Sequence, residues 1–410
     1  MIRGNGLVAQ SGGPTAVINN SVCGILHQWH QYSAAGNLYG ALFGISGILK
    51  ENLANLSVLN EKDVLRMRYS PGAALGSSRY KIKDEGDIRK LLEQFKKIKI
   101  NHFFYIGGND SMDSANTISQ YAKSHGYDLT VNGVPKTIDN DLLHTDHCPG
   151  YGSAAKYIAT TVLETGIDLK SIISKNRVLV LEVMGRNTGW LAAAAALAKK
   201  NDSDPPHLIY LPEVPFDKNS FIQDVDTVYK KFGIAYIVAS EGLVDREGKY
   251  VCCETSQDSF GHRQLGGVGN LLKNYVQDAL GIQARCNVLG TTQRSAMHLV
   301  SKTDVDEAYR VGIEAVRLAH QDASGLMTTL IREKQDYYCA VGNVKLSEVA
   351  NGEKMFPLAW INHDGNYITN KYYEYASPLI RGTLTVPTKN GLPDYCCLKE
   401  IQENKQLRIL

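Results

Sequence analysis

No apolar run in the 410 residues is long enough to span a bilayer. The amino terminus, Met1-Ile2-Arg3-Gly4-Asn5, leads straight into an apolar strand without the pattern of a secretory leader. A cytoplasmic protein with no membrane partner is the expectation. An excess of charge of one sign is also missing: 44 basic and 42 acidic residues leave a net charge of +2. That argues against a nucleic-acid partner, though not against a local basic pocket. The eight cysteines include the adjacent pairs Cys252/Cys253 and Cys396/Cys397 but no Cys-x-x-Cys, so neither a zinc site nor a disulfide framework is indicated, and they read as reduced thiols. There is no repeat, low-complexity linker or disordered composition. No Gly-x-Gly-x-x-Gly follows the first strand, which speaks against a dinucleotide-binding oxidoreductase.

What is present is a long α/β alternation, enough for a large core and two or three domains. Residues 6–10 read as a first strand, and Ser11-Gly12-Gly13-Pro14-Thr15 turns into a helix from near Ala16. Strand, glycine turn, helix is a phosphate-cradling order, yet a tight left-handed turn would select the same glycines with no ligand. In residues 87–98, Ile88, Leu91, Leu92, Phe95 and Ile98 fall at helical spacing, so an amphipathic helix packs on the sheet. Residues 102–106 and 129–131 read as strands, the second ending at Asn132-Gly133. A helix over 153–164 leads to a second α/β series. Its expected strands are 177–182, 207–211, 235–240 and 284–289; its expected helices are 190–200, 221–231 and 271–279, followed by a long helix over 304–319. The tail from Asp336, rich in tyrosine, gives no clear element.

Two stretches carry the chemistry. Gly107-Gly108-Asn109-Asp110-Ser111 follows the apolar run at 102–106, the pattern of a buried strand opening into a glycine loop before a helix, where anions bind. Val134-Pro135-Lys136-Thr137-Ile138-Asp139-Asn140-Asp141 gathers two carboxylates, an amide, a hydroxyl and a lysine, a set able to hold a base, a phosphate and a cation together. An Asx-rich solvated turn is the commoner fate of such a triplet. The segment from Pro71 to Tyr80, rich in small residues and carrying Arg79, reads on composition alone as a surface loop.

Together the two stretches resemble the phosphofructokinase family. Its ATP-dependent members usually carry Gly-Gly-Asp-Gly-Ser and Pro-Gly-Thr-Ile-Asp-Asn-Asp, whereas the pyrophosphate-dependent members put an acid and a lysine where the two small glycines stand. Here those positions are Asp110 and Lys136. The resemblance implies two Rossmann-like three-layer α/β domains with the active site in the cleft between them. Residues 1–150 would form the donor domain for pyrophosphate and Mg2+, completed by later segments. Residues 151–330 would form a sugar-phosphate domain with discontinuous boundaries, and 331–410 a C-terminal segment packing on both.

The implied reaction is reversible phosphoryl transfer from pyrophosphate to the C1 hydroxyl of fructose 6-phosphate, giving fructose 1,6-bisphosphate and phosphate. Such a transfer needs a base, positive charge around the moving group and in-line positioning. By resemblance Asp139 is the base, Asp141 supports the charge arrangement, Thr137 bonds the substrate or transferred group, and Arg79 and Lys136 act on the phosphoryl group. Gly13, Gly108, Asp110, Ser111 and Lys136 would line the donor site, and Asp110 would ligate Mg2+. Met184, Gly185, Arg186 and Glu241 match the sugar motifs. Arg177, Arg285 and Arg294 match the 6-phosphate cations, the first two contributed by a neighbouring subunit of a homodimer or homotetramer. Asn109 and Thr291 depart from the family pattern, where an acid and often a histidine or tyrosine stand. The alternatives are an ATP-dependent 6-phosphofructokinase, discriminated by Asp110 and Lys136, and a catalytically silent regulatory subunit. Thr291 also leaves open the longer sedoheptulose 7-phosphate.

Overall fold

The structure, a computed structural model, describes residues 2–82, 84–172, 176–257, 263–333, 337–350 and 352–396. Its first elements are β1 (Gly4–Gln10), α1 (Ile18–His30), β2 (Ala35–Ala41), α2 (Gly44–Leu49), β3 (Leu53–Asn55), α3 (Glu61–Arg68), α4 (Glu85–Lys97), β4 (Ile100–Gly107), α5 (Asn109–Ser124) and β5 (Thr130–Pro135). Next come α6 (Tyr151–Ser171), β6 (Asn176–Val183), α7 (Trp190–Ala194), β7 (Leu208–Tyr210), α8 (Lys218–Phe232), β8 (Ala235–Ser240), β9 (Cys253–Gln257), β10 (Arg263–Leu265), α9 (Val268–Leu280) and β11 (Gln283–Val288). The chain finishes through α10 (Thr292–Ser295), α11 (Lys302–His320), β12 (Leu326–Arg332), β13 (Cys339–Lys345), α12 (Leu346–Val349), α13 (Asn370–Ala376), β14 (Thr388–Lys389) and β15 (Leu392–Pro393).

Two units divide these elements. The first is Met1–Ser153 with Arg294–Glu353 and Gly382–Leu410; the second is Ala154–Gln293 with Lys354–Arg381.

A seven-stranded sheet of order β13-β12-β5-β4-β1-β2-β3 forms the first unit, parallel except where β3 and β13 pair at its edges. Its inner strands are near-continuous apolar runs because both faces are covered. Val8, Phe104, Ile106, Val134 and Leu330 face a core shared with Val22, Ile25 and Trp29 of α1 and Val311 and Ala315 of α11. Leu7, Ala9, Phe103, Tyr105 and Val131 face the opposite core with Leu91 and Phe95 of α4 and Met112 and Ile118 of α5. Strand order reverses at β1, which has β2 on one side and β4 on the other. In open parallel sheets the carboxyl ends beside such a reversal are where ligands bind. The two glycine loops, after β1 and after β4, stand there.

The second unit holds a four-stranded, wholly parallel sheet of order β11-β6-β8-β7. Its order reverses at β6, so the loops after β6 and β11 take the equivalent position. Both units are thus α/β with parallel-rich sheets.

Some boundaries differ from the sequence expectation for local reasons. The strand expected to stop at Gly133 continues as β5 to Pro135, because Pro135 pairs in register with Gly107 at the edge of β4. The first helix begins at Ile18 rather than near Ala16. The alanine-rich run expected as one helix is α7 followed by a 3-10 turn at Ala195–Ala198, a tightening common at helix ends. The unassigned tail supplies β13, which pairs antiparallel to β12, and α13 in the second unit. Cys23, Cys148, Cys252, Cys286, Cys339 and Cys396 are free thiols, and Cys397 lies outside the described residues.

Candidate active site

In the first unit the loop after β1 and the loop after β5 meet through Lys136. Its side chain is 3% exposed, and Nζ donates to the Gly13 carbonyl at 2.7 Å, not to a carboxylate. A Cβ on Gly12 would stand 3.3 Å from that Nζ, and one on Gly13 only 2.7 Å from Nη1 of Arg294. The two glycines therefore let two cations lie against bare backbone, which is the construction of an anion cradle. Burial pulls the Lys136 ammonium down to about 8 against the opposing charge of Asp139, and the cations of Arg294 and Arg79 add to the depression. Burial likewise lowers Arg294, with Arg79 acting in the same direction and Asp139 against it. Three cations, Lys136, Arg294 and Arg79, and two carboxylates, Asp139 and Asp141, thus share an electrostatic neighbourhood.

Arg79 is exposed, and its loop is tied to the cradle. Ser77 Oγ donates to the Gly12 carbonyl at 2.6 Å, the Gly12 N–H donates to Ser78, and Ser11 and Ser78 form a parallel bridge. Two buried amides that the sequence reading passed over hold this loop from beneath. Gln10 Nε2 donates to Asn19 Oδ1, while those side chains accept from the N–H groups of Leu75 and Ala74.

Beyond Lys136 the chain turns sharply. Thr137 Oγ1 accepts the Asp139 N–H at 3.1 Å, and Asn140 adopts a left-handed conformation (φ 56°) with its side chain accepting from the Cys148 N–H. Asparagine tolerates that conformation better than other non-glycine residues, so the triplet is locally explained. Asn109, first residue of α5, donates from Nδ2 to Asp141 Oδ2 at 3.1 Å. The amide oxygen of Asn109, Oδ1, and the other carboxylate oxygen of Asp141, Oδ1, are buried without a hydrogen-bond partner. Burial and then the charge of Asp139 push Asp141 up to about 7. Asp110 is exposed in the first turn of α5, Ser111 is buried and Gly108 is the helix N-cap.

In the second unit Met184, Gly185 and Arg186 follow β6, and Glu241 follows β8. Gly185 takes φ 133°, and its carbonyl accepts from Ser240 Oγ. A Cβ on Gly242 would fall 1.9 Å from the Arg186 carbonyl, so glycine is required for the two loops to touch. The Met184 N–H donates to Gln293 Oε1 at 3.2 Å. Burial raises Glu241 to about 7, Glu182 adds to the rise, and Arg186 opposes it. Arg177 is half-buried with a partnerless Nε, whereas Arg285 is exposed on the edge strand β11. Arg294, expected with these two, lies in the first unit against Gly13.

Within the first unit, glycine backbone and buried cations beside a loop with two carboxylates are groups suited to phosphoryl transfer. The phosphofructokinase profile matches residues 5–319, and the chain belongs to that family. Among its relatives, the pyrophosphate–fructose 6-phosphate 1-phosphotransferase of Halomonas elongata is 42% identical over 99% of both chains. The crystal structure of the pyrophosphate-dependent phosphofructokinase from Marinobacter aquaeolei is 41% identical over 96% of each chain, with a TM-score of 0.88. The Nitrosospira multiformis counterpart is 40% identical over 99% of this chain and 97% of that one, with a TM-score of 0.89.

Proposed function

We propose that this chain transfers a phosphoryl group reversibly between pyrophosphate and the C1 hydroxyl of fructose 6-phosphate, giving fructose 1,6-bisphosphate and phosphate in the cytoplasm, as a step of glycolysis. Asp139 takes the hydroxyl proton, and Thr137 holds the attacking group or the phosphoryl oxygen. Lys136 and Arg79 stabilise the charge of the moving phosphoryl group, and the backbone of Gly13 and Gly108 with Ser111 seats the donor. Full-length relatives bearing that activity support this reading.

The observation that carries it is the cradle itself, where a buried ammonium and a guanidinium lie against two glycines and Asp110 stands at the helix entrance. A small, highly charged donor suits that arrangement. An acid at 110 crowds and repels the α-phosphate that ATP would bring. Donor choice is tested by initial rates with pyrophosphate and with ATP, each with fructose 6-phosphate and Mg2+. Turnover with ATP alone would overturn the proposal, and turnover with neither would favour a silent subunit.

Two buried, partnerless oxygens beside Asp110 fit a hard divalent cation, which takes oxygen ligands. Asn109, Asp110 and Asp141 would hold Mg2+, which when bound offsets the negative charge of pyrophosphate. On the sugar side, Glu241 accepts from hydroxyls and Arg186, Met184 and Gly185 shape the site. Arg177 and Arg285 take the 6-phosphate, guanidinium forks being suited to it, and Arg294, which the family motif groups with them, lies against Gly13 of the cradle. Arg177 and Arg285 serve a neighbouring subunit's site in this proposal. Leu163 and Ile167, one turn apart on α6, and Val288 on edge strand β11 are 40%, 68% and 54% exposed, apolar surface that an oligomer would cover.

A further inference from the structure

Glu353 stands far along the chain from the donor loops, yet the fold returns it to them. After α12 the chain turns, with the Ala350 N–H donating to Leu346 and the Gly352 N–H to Val349. Gly352 then passes against the loop that carries Asp139 and Asp141: a Cβ there would lie 2.3 Å from Leu143 Cδ1. A larger residue there would have to push the Leu143 side chain aside. With Asn109 and Asp110, Gly352 and Glu353 line a cavity of about 340 Å3.

The polar inventory around this cavity is unbalanced. The Asn109 amide turns its nitrogen toward Asp141, donating from Nδ2 to Oδ2, and its oxygen away. That leaves Asn109 Oδ1 and Asp141 Oδ1 as two buried acceptors with no donor. Such groups are costly unless something satisfies them. The charge of Glu353 reaches Asp141, which already feels Asp139. Every described side chain of this cavity offers hard oxygen, the ligand chemistry of Mg2+ or Mn2+. The weak point of the set is Asn109, a neutral ligand where a carboxylate would bring charge.

We infer that Glu353 belongs to the divalent-cation site and supplies, directly or through a bound water, the carboxylate charge that Asn109 lacks. The inference rests on the Mg2+-dependent reading above and adds to it a residue from a segment with no motif. It also explains how the amide at 109 is compatible with a functional site: the charge has moved from the first turn of α5 to the turn after α12.

The test is direct Mn2+ binding to the full-length protein, by electron paramagnetic resonance or calorimetry, with and without inorganic phosphate. E353Q is expected to raise the Mn2+ Kd by ~10-fold or more, the scale seen when a group supporting a metal is removed. E353D should retain most of the affinity. Introducing N109D into the E353Q background should restore it, an outcome that a structural role for Glu353 does not produce. Equal Mn2+ affinity in the wild type and E353Q, or a loss in E353Q that N109D leaves unrepaired, overturns the inference. Both results are separable from failure of the functional reading, which is judged on pyrophosphate-driven turnover by the wild type. Glu353 is exposed, so E353Q is expected to fold, and circular dichroism verifies that it does.

Discussion

Two buried polar clusters occur within a dozen residues of each other, and they are built on opposite principles. From Thr145 to His147 every group is paired. His147 is 1% exposed, and its Nδ1 bonds Asp146 at 2.8 Å while its Nε2 bonds Glu307 at 2.6 Å. Arg332 grips Asp146 through both Nε and Nη2, and Tyr337 donates to the other Glu307 oxygen at 2.7 Å. Each ring nitrogen of His147 faces a carboxylate, so the ring must carry both protons. Burial works against this, but the charge of Glu307 and the bond to Asp146 raise His147 well above its usual value. Burial alone would raise Asp146; the bonds and charges of His147 and Arg332 hold it down to about 2. From Lys136 to Asp141 the reverse holds. An ammonium rests on a carbonyl, one carboxylate is pushed up to about 7, and its Oδ1 has no partner, nor has Oδ1 of the Asn109 amide beside it. The satisfied cluster fastens the loop to α11 and β12. Although Asp146, His147 and Cys339 lie close enough to hold a metal, the grip of Arg332 on Asp146 already supplies the compensating cation.

The comparison is broken most severely at His147. His147→Gln leaves two carboxylates facing a neutral amide, and breaking a buried ion pair costs about 3–5 kcal/mol. Denaturant unfolding should show that loss, with kcat per folded molecule little changed; an equal loss of kcat in a stable variant would mean that the network takes part in the chemistry. The deficit should also depend on pH. A histidine whose folded pKa is raised contributes its stability fully below its unfolded pKa and loses it as pH rises through the folded value. The gap between wild type and His147→Gln should therefore narrow in alkaline solution.

Asp139→Asn should do the opposite, leaving the unfolding midpoint near wild type and lowering kcat by at least ~10²-fold, the usual contribution of a positioned base. Steady-state kinetics would check it, with the KM for fructose 6-phosphate largely preserved. Smaller still is the expected effect of Asp110→Gly with Lys136→Gly. The ratio of kcat/KM for pyrophosphate to that for ATP should fall by ~10-fold, about 1.4 kcal/mol. An unchanged ratio in a folded double variant would place donor choice elsewhere.

The mildest test concerns Asp141. Its folded pKa stands above the ordinary carboxylate value, so stability is lost as pH rises from that value through about 7, with ionisation in the folded state complete only above it. Asp141→Asn should raise the unfolding midpoint at pH 8 and change it little at pH 4. A lower midpoint at pH 8 would show that the carboxylate is satisfied in solution.

Much of the donor side was legible because its residues are local in sequence. Gly12 and Gly13, the run from Gly107 to Ser111 and the run from Lys136 to Asp141 each follow a strand directly, and apolar runs of that kind identify buried parallel strands. Gln10 and Asn19 were missed because a buried amide reveals its partner only when the fold is closed. Arg294 was read by its motif as a partner of Arg177 and Arg285. Its placement against Gly13 depends on where the chain re-enters the first unit, which no local pattern encodes.

The sequence by itself determined the family and the α/β alternation, because propensity, periodicity and motif are properties of neighbouring residues. Only the tertiary structure decided which buried groups are satisfied and which are not. Whether His147 meets Glu307, whether Asn109 spends its amide on Asp141, and whether Glu353 reaches the same cavity are contacts between segments far apart in the chain. Such contacts are fixed by packing, in which an interior atom's partner depends on the whole sheet order rather than on the residues beside it.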